Sequence, residues 1–150
     1  MISRYEQFAN AISGIYRSIQ KIERDEMVKY GYKGAYAQYL AAMLRHPEGV
    51  TSVQLCEICD KDKAAVSRMV AEMVEKKLII RESENDNMYR ARLRLTDEGI
   101  RAAEYVRQRA VAAVAAGGRG LTDPDRQVFY NTLELIAANL NDVCRDGLPE

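Results

Sequence analysis

The sequence predicts a mainly α fold with a small β component (α+β): four helices, a hairpin and two further helices. Three observations carry that reading. Apolar residues recur at steps of three and four over most of the chain, the period of amphipathic helices. Strict alternation replaces that period in YRARLRL, residues 89–95, as a half-buried strand requires. Glycine, proline and hydroxyl or acidic residues fall between these segments, where helices start and stop.

In residues 3–29, Tyr5, Phe8, Ile12, Ile15, Ile19 and Ile22 form the stripe of one long helix. YGYKGAY, residues 30–36, holds two glycines and breaks it. A second helix runs from Tyr36 to Arg45 and stops at HPEG, at Pro47 and Gly49. Thr51 and Ser52 open a short third helix, SVQLCEIC, predicted to bury Leu55, Cys56 and Cys59. DKDK is a turn in which Asp60 or Asp62 can cap the next helix by accepting its unpaired N–H groups.

The fourth helix lies in DKAAVSRMVAEMVEKKLI, residues 62–79. Val66, Met69, Val70, Met73 and Leu78 make its apolar stripe, while Lys63, Ser67, Arg68, Ala71 and Glu72 leave the other face small or polar. It ends near Lys76 and Lys77, cations suited to a helix C-terminus. LIIRES, residues 78–83, is short and β-branched, and ENDN is a turn cluster. In YRARLRL, Tyr89, Ala91, Leu93 and Leu95 take one side and Arg90, Arg92 and Arg94 the other, which completes a hairpin with a cationic outer face. Thr96 caps a fifth helix that runs to Ala116, and Gly117, Gly118 and Gly120 interrupt it. Thr122 and Asp125 form a capping-box pattern before a last helix carrying Phe129, Leu133, Ile136, Leu140 and Val143.

A chain of 150 residues favours one domain, 1–150, with a real core. The balance of 47% hydrophobic and 29% charged residues is that of an ordinary soluble globular protein. Twenty-two basic and 22 acidic side chains cancel, so the chain is not basic throughout, although a local basic patch remains compatible with that sum. No run of about 18 apolar residues spans a membrane. MISRYEQFAN lacks the apolar stretch of a signal peptide, so a cytoplasmic location is expected. Three cysteines make no disulfide framework and point to reduced thiols.

A helix, a short turn, a second helix and a twisted hairpin make a winged helix-turn-helix. A recognition helix must bury one face on its own domain and slide the other into a major groove about 12 Å wide. Small residues such as Ala64 and Ala71 let its backbone approach. Ser67 can bond a phosphate or a base edge, and Arg68 can reach phosphate or guanine. Ser52, Lys63, Ala64, Ser67, Arg68, Arg90 and Arg92 are therefore the candidate DNA contacts, with Arg94 a weaker one because it lies nearest the following helix.

At this point the chain resembles the MarR family of bacterial transcriptional regulators. The similarity rests on Thr51, Leu55, Val66, Ser67 and Arg68 in the helix-turn-helix, on KKLIIR leading into the first wing strand, and on LRLTDEG, residues 93–99, leading out of the second. It covers nearly the whole chain. It implies a winged helix-turn-helix lobe at 36–95 and long N- and C-terminal dimerisation helices at 1–30 and 97–146. It further implies a homodimer on a pseudo-palindromic double-stranded DNA operator, often a repressor released by a small molecule or an oxidant. The chain departs from the family at the wing tip. The common Asp-x-Arg is replaced by Asn87 and Tyr89, with Arg90 or Arg92 as substitutes after a shift of the turn.

Plainer readings stand beside these. Ser67 and Arg68 alone would be a solvated helix face, and an alternating basic strand often serves solubility. Cys56 and Cys59 suggest a redox pair, but their shared helix face makes packed thiols the heavier reading, and a zinc site would need further ligands. Tyr30, Tyr32, Tyr36 and Tyr39 are either core residues or the lining of a pocket for a small aromatic or oxidant effector, placed by the resemblance between the dimerisation helices and the lobe. No catalytic constellation, cofactor motif or metal-ligand spacing is present, so an enzyme is not expected. The rival to a DNA-binding regulator is a winged-helix protein-interaction module without DNA binding, or a cysteine-based redox sensor of the same fold.

Overall fold

The computed structural model describes residues 1–83 and 91–150; the predicted ENDN turn, including Asn87, and the candidates Tyr89 and Arg90 lie outside the described residues. The order is α1 (Arg4–Tyr30), α2 (Tyr36–Leu44), α3 (Ser52–Cys59), α4 (Lys63–Glu75), β1 (Ile79–Glu82), β2 (Arg92–Leu95), α5 (Asp97–Gly117) and α6 (Asp123–Asp146). The mainly α fold and its order are as the sequence predicts. No helix among the described residues is long and apolar enough to cross a membrane. The chain divides into two compact units, Met1–Val114 and Ala115–Glu150.

In the first unit, helix starts are set by local hydrogen bonds. Ser3 and Glu6 form a capping box at α1, and Thr51 and Gln54 form another at α3. Asp62 Oδ1 accepts the Ala65 N–H at 2.7 Å and caps α4, while Asp60 instead takes a left-handed conformation, φ 51°, that ends α3. Gly31, φ 115°, ends α1. At the exit of α4, Lys77 adopts φ 60° and the Leu78 N–H donates to the Met73 carbonyl at 3.0 Å. That closure uses Leu78, so β1 begins one residue later than the β-branched segment 78–83 suggests.

β1 and β2 pair antiparallel, with Ile79 opposite Leu95, Ile80 opposite Arg94, Arg81 opposite Leu93 and Glu82 opposite Arg92. Val50 adds a bridge to Leu93 on the other edge of β2, closed by two backbone bonds of 3.0 and 2.7 Å. Gly49, φ 94°, makes the turn into it. Thr96 joins hairpin to helix: its hydroxyl lies 2.6 Å from the Lys77 carbonyl and accepts the Gly99 N–H at 3.1 Å. Gly99 is required there, because a Cβ would overlap the Leu78 carbonyl oxygen.

Leu40, Leu55, Val66, Val70, Met73, Leu78, Ile79 and Leu93 form the centre of the core, with Met27 of α1 and Ala102, Ala103 and Val106 of α5 packed on it. Each such aliphatic side chain contributes about 1.5–3 kcal/mol by leaving water. Polar bonds brace the helices around this core. Tyr32 Oη donates to Glu98 of α5 at 3.0 Å. Four residues on, Tyr36 Oη donates to Glu72 of α4 at 2.9 Å, and Lys33 Nζ lies 3.3 Å from the same carboxylate. Glu26, 7% exposed, receives Lys29 at 2.8 Å, the Tyr105 hydroxyl at 3.2 Å and Arg109 at 3.3 Å. The N-terminal part of the α1 stripe is not covered within the chain: Tyr5, Phe8, Ile12 and Ile15 are exposed, and Ile19 and Ile22 half-buried.

In the second unit, Thr122 and Asp125 form the expected capping box, and Pro124 occupies the first turn, where its missing N–H costs nothing. Arg126 Nη2 donates to the Gly118 carbonyl at 3.4 Å across the turn. No residue of α6 is fully buried; Phe129 and Leu140 of the predicted stripe are exposed, and Leu133, Ile136 and Val143 half-buried.

Candidate nucleic-acid interface

α3 and α4 meet through the tight Asp60–Lys61 turn, and α4 divides cleanly into two faces. Val66, Val70 and Met73 are buried; Lys63, Ala64, Ser67, Arg68 and Ala71 are exposed. Ala64, Ser67, Arg68 and Ala71 follow one another at steps of three, one and three, so they share one side of the helix. The two alanines flank the serine and the arginine with little bulk, and Arg68 makes no hydrogen bond or ion pair among the described residues.

Beside this face lies a cleft of about 570 Å³ between α3, α4 and β1. Ser52 and Cys56 wall it from α3, Lys63 and Ser67 from α4, and Val70 also lines it. Three of the predicted contacts, Ser52, Lys63 and Ser67, are thereby brought together. Glu57 adds a carboxylate to the rim. The third wall is Arg81 of β1, which sequence reasoning missed. The alternation of LIIRES held the signal: Arg81 shares its sheet face with buried Ile79 and sits opposite buried Leu93, so it points to the helix side.

Of the wing arginines, Arg92 and Arg94 stand on the other face of the sheet. Arg92 is exposed, and its Nη1 donates to the Gly49 carbonyl at 3.4 Å. Arg94 is half-buried, with Nε 2.6 Å from Glu82 Oε2 and Nη1 donating to the Pro47 carbonyl at 3.5 Å. Arg94 thus ties β2 to β1 and to the Pro47 turn.

The cysteines depart from expectation. Neither Cys56 nor Cys59 is fully buried; both are half-buried, because eight-residue α3 seats Leu55 at the centre of its inward face and leaves its flanks at the surface. Cys56 opens into the cleft. Cys59 Sγ lies 4.0 Å from the Gln38 carbonyl, and burial pushes its thiol up, which disfavours the reactive thiolate. Among the described residues no three His, Cys, Asp or Glu side chains converge as a metal site.

The four candidate effector tyrosines lie in or against the core. Tyr36 and Tyr39 are buried in the core, and Tyr30 and Tyr32 pack against it, Tyr30 with its ring 5.0 Å from that of Tyr105. Burial pushes the Tyr36 hydroxyl up to about 12, with the Glu72 carboxylate beside it adding to the shift. A separate cavity of about 500 Å³ lies between α1, α2 and α5. Ala37, Ala41, Leu44 and Val106 make it apolar, and Glu23 and Arg45 place one charge of each sign on its wall.

Residues 30–87 match a family model described as the MarR family. No curated protein matches the chain in sequence. Solved structures match it in fold. A MarR transcriptional regulator from Methanosarcina mazei Go1 is 21% identical with a TM-score of 0.78, over 92% of this chain and 99% of that one. A MarR family regulator from Listeria monocytogenes, in complex with a 26mer DNA, is 19% identical with a TM-score of 0.74, over 95% and 96%. CouR from Rhodococcus jostii RHA1, bound to p-coumaroyl-CoA, is 20% identical with a TM-score of 0.68, over 91% and 98%. Residues 30–87 are thus similar in sequence to the MarR family, and over more than nine-tenths of its length the chain shares the fold of solved MarR family regulators.

Proposed function

We propose that this protein is a homodimeric transcriptional regulator that binds a specific double-stranded DNA operator, with α4 in the major groove. The observation that carries the reading is the exposed face of α4, where Ser67 and Arg68 stand between Ala64 and Ala71 over a fully packed opposite face. Residues 36–95 act as the DNA-binding lobe, with Ser52, Lys63, Ala64, Ser67 and Arg68 as contacts from the helices and Arg90 and Arg92 from the wing. Residues 1–30 and 97–146 act as dimerisation helices, supported by the exposed apolar side chains Tyr5, Phe8, Ile12, Ile15, Phe129 and Leu140. Exposed apolar surface of that length on a soluble chain marks an association face.

The regulator works in the cytoplasm as a repressor released by a small effector. The apolar cavity between α1, α2 and α5 has the size of a small aromatic ligand's site, about 500 Å³. The raised Cys59 thiol weighs against an oxidant-sensing pair on α3.

The test is a gel shift with the DNA upstream of the protein's own gene, over a range of salt. A retarded complex that survives competition by unrelated duplex, and weakens linearly in log–log salt, is expected. No retardation at low salt would instead leave a protein-interaction module.

A further inference from the structure

We propose that Arg81 of β1 is a phosphate anchor of the DNA-binding surface and charges the α3–α4 cleft from the strand side. The inference rests on the DNA-binding reading above and adds to it a residue outside the helix-turn-helix and outside the alternating basic strand.

Three observations place Arg81 there. The hairpin register sets it opposite Leu93, on the sheet face that turns toward the helices, whereas Arg92 and Arg94 belong to the opposite face. It walls the same cleft as Ser52, Lys63 and Ser67, so its guanidinium extends a polar surface contributed by two helix N-terminal turns. It is exposed and makes no hydrogen bond or ion pair among the described residues, in contrast to Arg94, which Glu82 and the Pro47 carbonyl hold.

The chemistry follows from those positions. Leu93 and Ile79 on the same face are core residues, so the face that carries Arg81 is otherwise apolar. A guanidinium at its edge can lay its stem along apolar surface while its head reaches outward. No carboxylate neutralises it from β2, because its register partner is Leu93. Glu57, on the far wall, is the acidic group that shares the cleft, and Lys63 stands on the α4 wall. A planar five-donor guanidinium suits a phosphate oxygen pair of the DNA backbone, and a backbone contact fixes register without reading sequence. The cleft's cationic character therefore comes from β1 as well as from α4, and a wing tip without Asp-x-Arg is compensated at the root of the hairpin.

The experiment compares the parent with Arg81→Ala and Arg81→Lys, each checked for fold by circular dichroism, on the upstream operator and on an unrelated duplex. Arg81→Ala should weaken binding to both duplexes by the same factor. It should also reduce the magnitude of the log–log salt slope by about one for each copy of Arg81 that leaves a phosphate. Arg81→Lys should restore most of the slope. A parent-like affinity and slope for Arg81→Ala, or a loss confined to the operator, overturns the assignment. A parent that binds neither duplex removes the DNA-binding reading itself, and the anchor with it; a parent that binds while Arg81→Ala leaves the slope unchanged removes the anchor alone.

Discussion

Gly99 and the Leu78 carbonyl lie in contact, with no room for a side chain between helix α5 and the end of α4. Gly99→Ala should therefore be strongly destabilising, although alanine is the better helix former. Forcing a methyl into a packed backbone contact costs about 1–3 kcal/mol or more. For a chain of this size that lowers the melting midpoint by several degrees, at about 2–4 °C per kcal/mol. A thermal melt equal to the parent's would show that α5 can shift freely against Leu78.

Arg68→Ala should weaken operator binding and leave the fold intact, since the side chain has no partner among the described residues. A bidentate contact to guanine is worth about 1–3 kcal/mol of discrimination. Arg94→Ala should behave in the opposite way. It breaks a half-exposed pair with Glu82, a loss of about 0–1 kcal/mol in stability, and it should leave operator affinity near the parent's. Parallel titrations and urea melts of the two variants distinguish them, and an Arg94→Ala loss of affinity comparable to that of Arg68→Ala would place Arg94 on the DNA.

Sedimentation at micromolar concentration should return a mass near twice 17.0 kDa. Replacing Phe8 and Ile12 of α1 by aspartate should shift the protein toward the monomer, because both are exposed in the single chain. A parent that sediments as a clean monomer while binding operator would remove the dimer from the proposal.

Acid should weaken the fold through three carboxylates. Lys29 and Tyr105 hold Glu26 below its ordinary value, Tyr36 and Lys33 do so for Glu72, and Tyr32 and Arg101 do so for Glu98. A carboxylate depressed in the folded state contributes stability that is fully present above its unfolded value, near 4.5, and lost as pH falls through the folded one. Urea midpoints should thus decline below about pH 4.5. The decline should be shallower for Glu72→Gln with Glu98→Gln, which start lower at pH 7. Equal slopes would exclude these groups as the source.

Cys59 should alkylate slowly at neutral pH. Burial raises its thiol, so little of the nucleophilic thiolate forms. Iodoacetamide labelling followed by peptide mass spectrometry should show it modified more slowly in the folded chain than in urea. Equal rates would restore the redox-pair reading.

Features set by near neighbours along the chain are legible in the sequence itself. Thr51, Thr96 and Thr122 each cap the helix expected of them, and Asp62 is the one of the two candidate aspartates that caps α4, because a cap spans three residues. The two faces of α4 follow from its period. What the sequence hides depends on distant partners. Glu26 reads as one more charge on an amphipathic helix until Tyr105 and Arg109, some eighty residues on, enclose it. Arg81 occupies a four-residue strand, too short for its alternation to stand out, and only pairing with Leu93 shows where it faces. The resemblance suggests a pocket at the tyrosines, whereas the burial of Tyr36 and Tyr39 is decided by how α2 seats against α1 and α3.

The segment between α1 and α2 works as a shared bracket. Tyr32 grips Glu98 on α5, while Lys33 and Tyr36 grip Glu72, one turn along α4 from Arg68. A load that draws α5 away from the end of α1 falls on Tyr32, next along the chain to the Lys33 that holds α4. One short segment of chain therefore fastens two helices that are distant in sequence, α4 through Lys33 and Tyr36 and α5 through Tyr32.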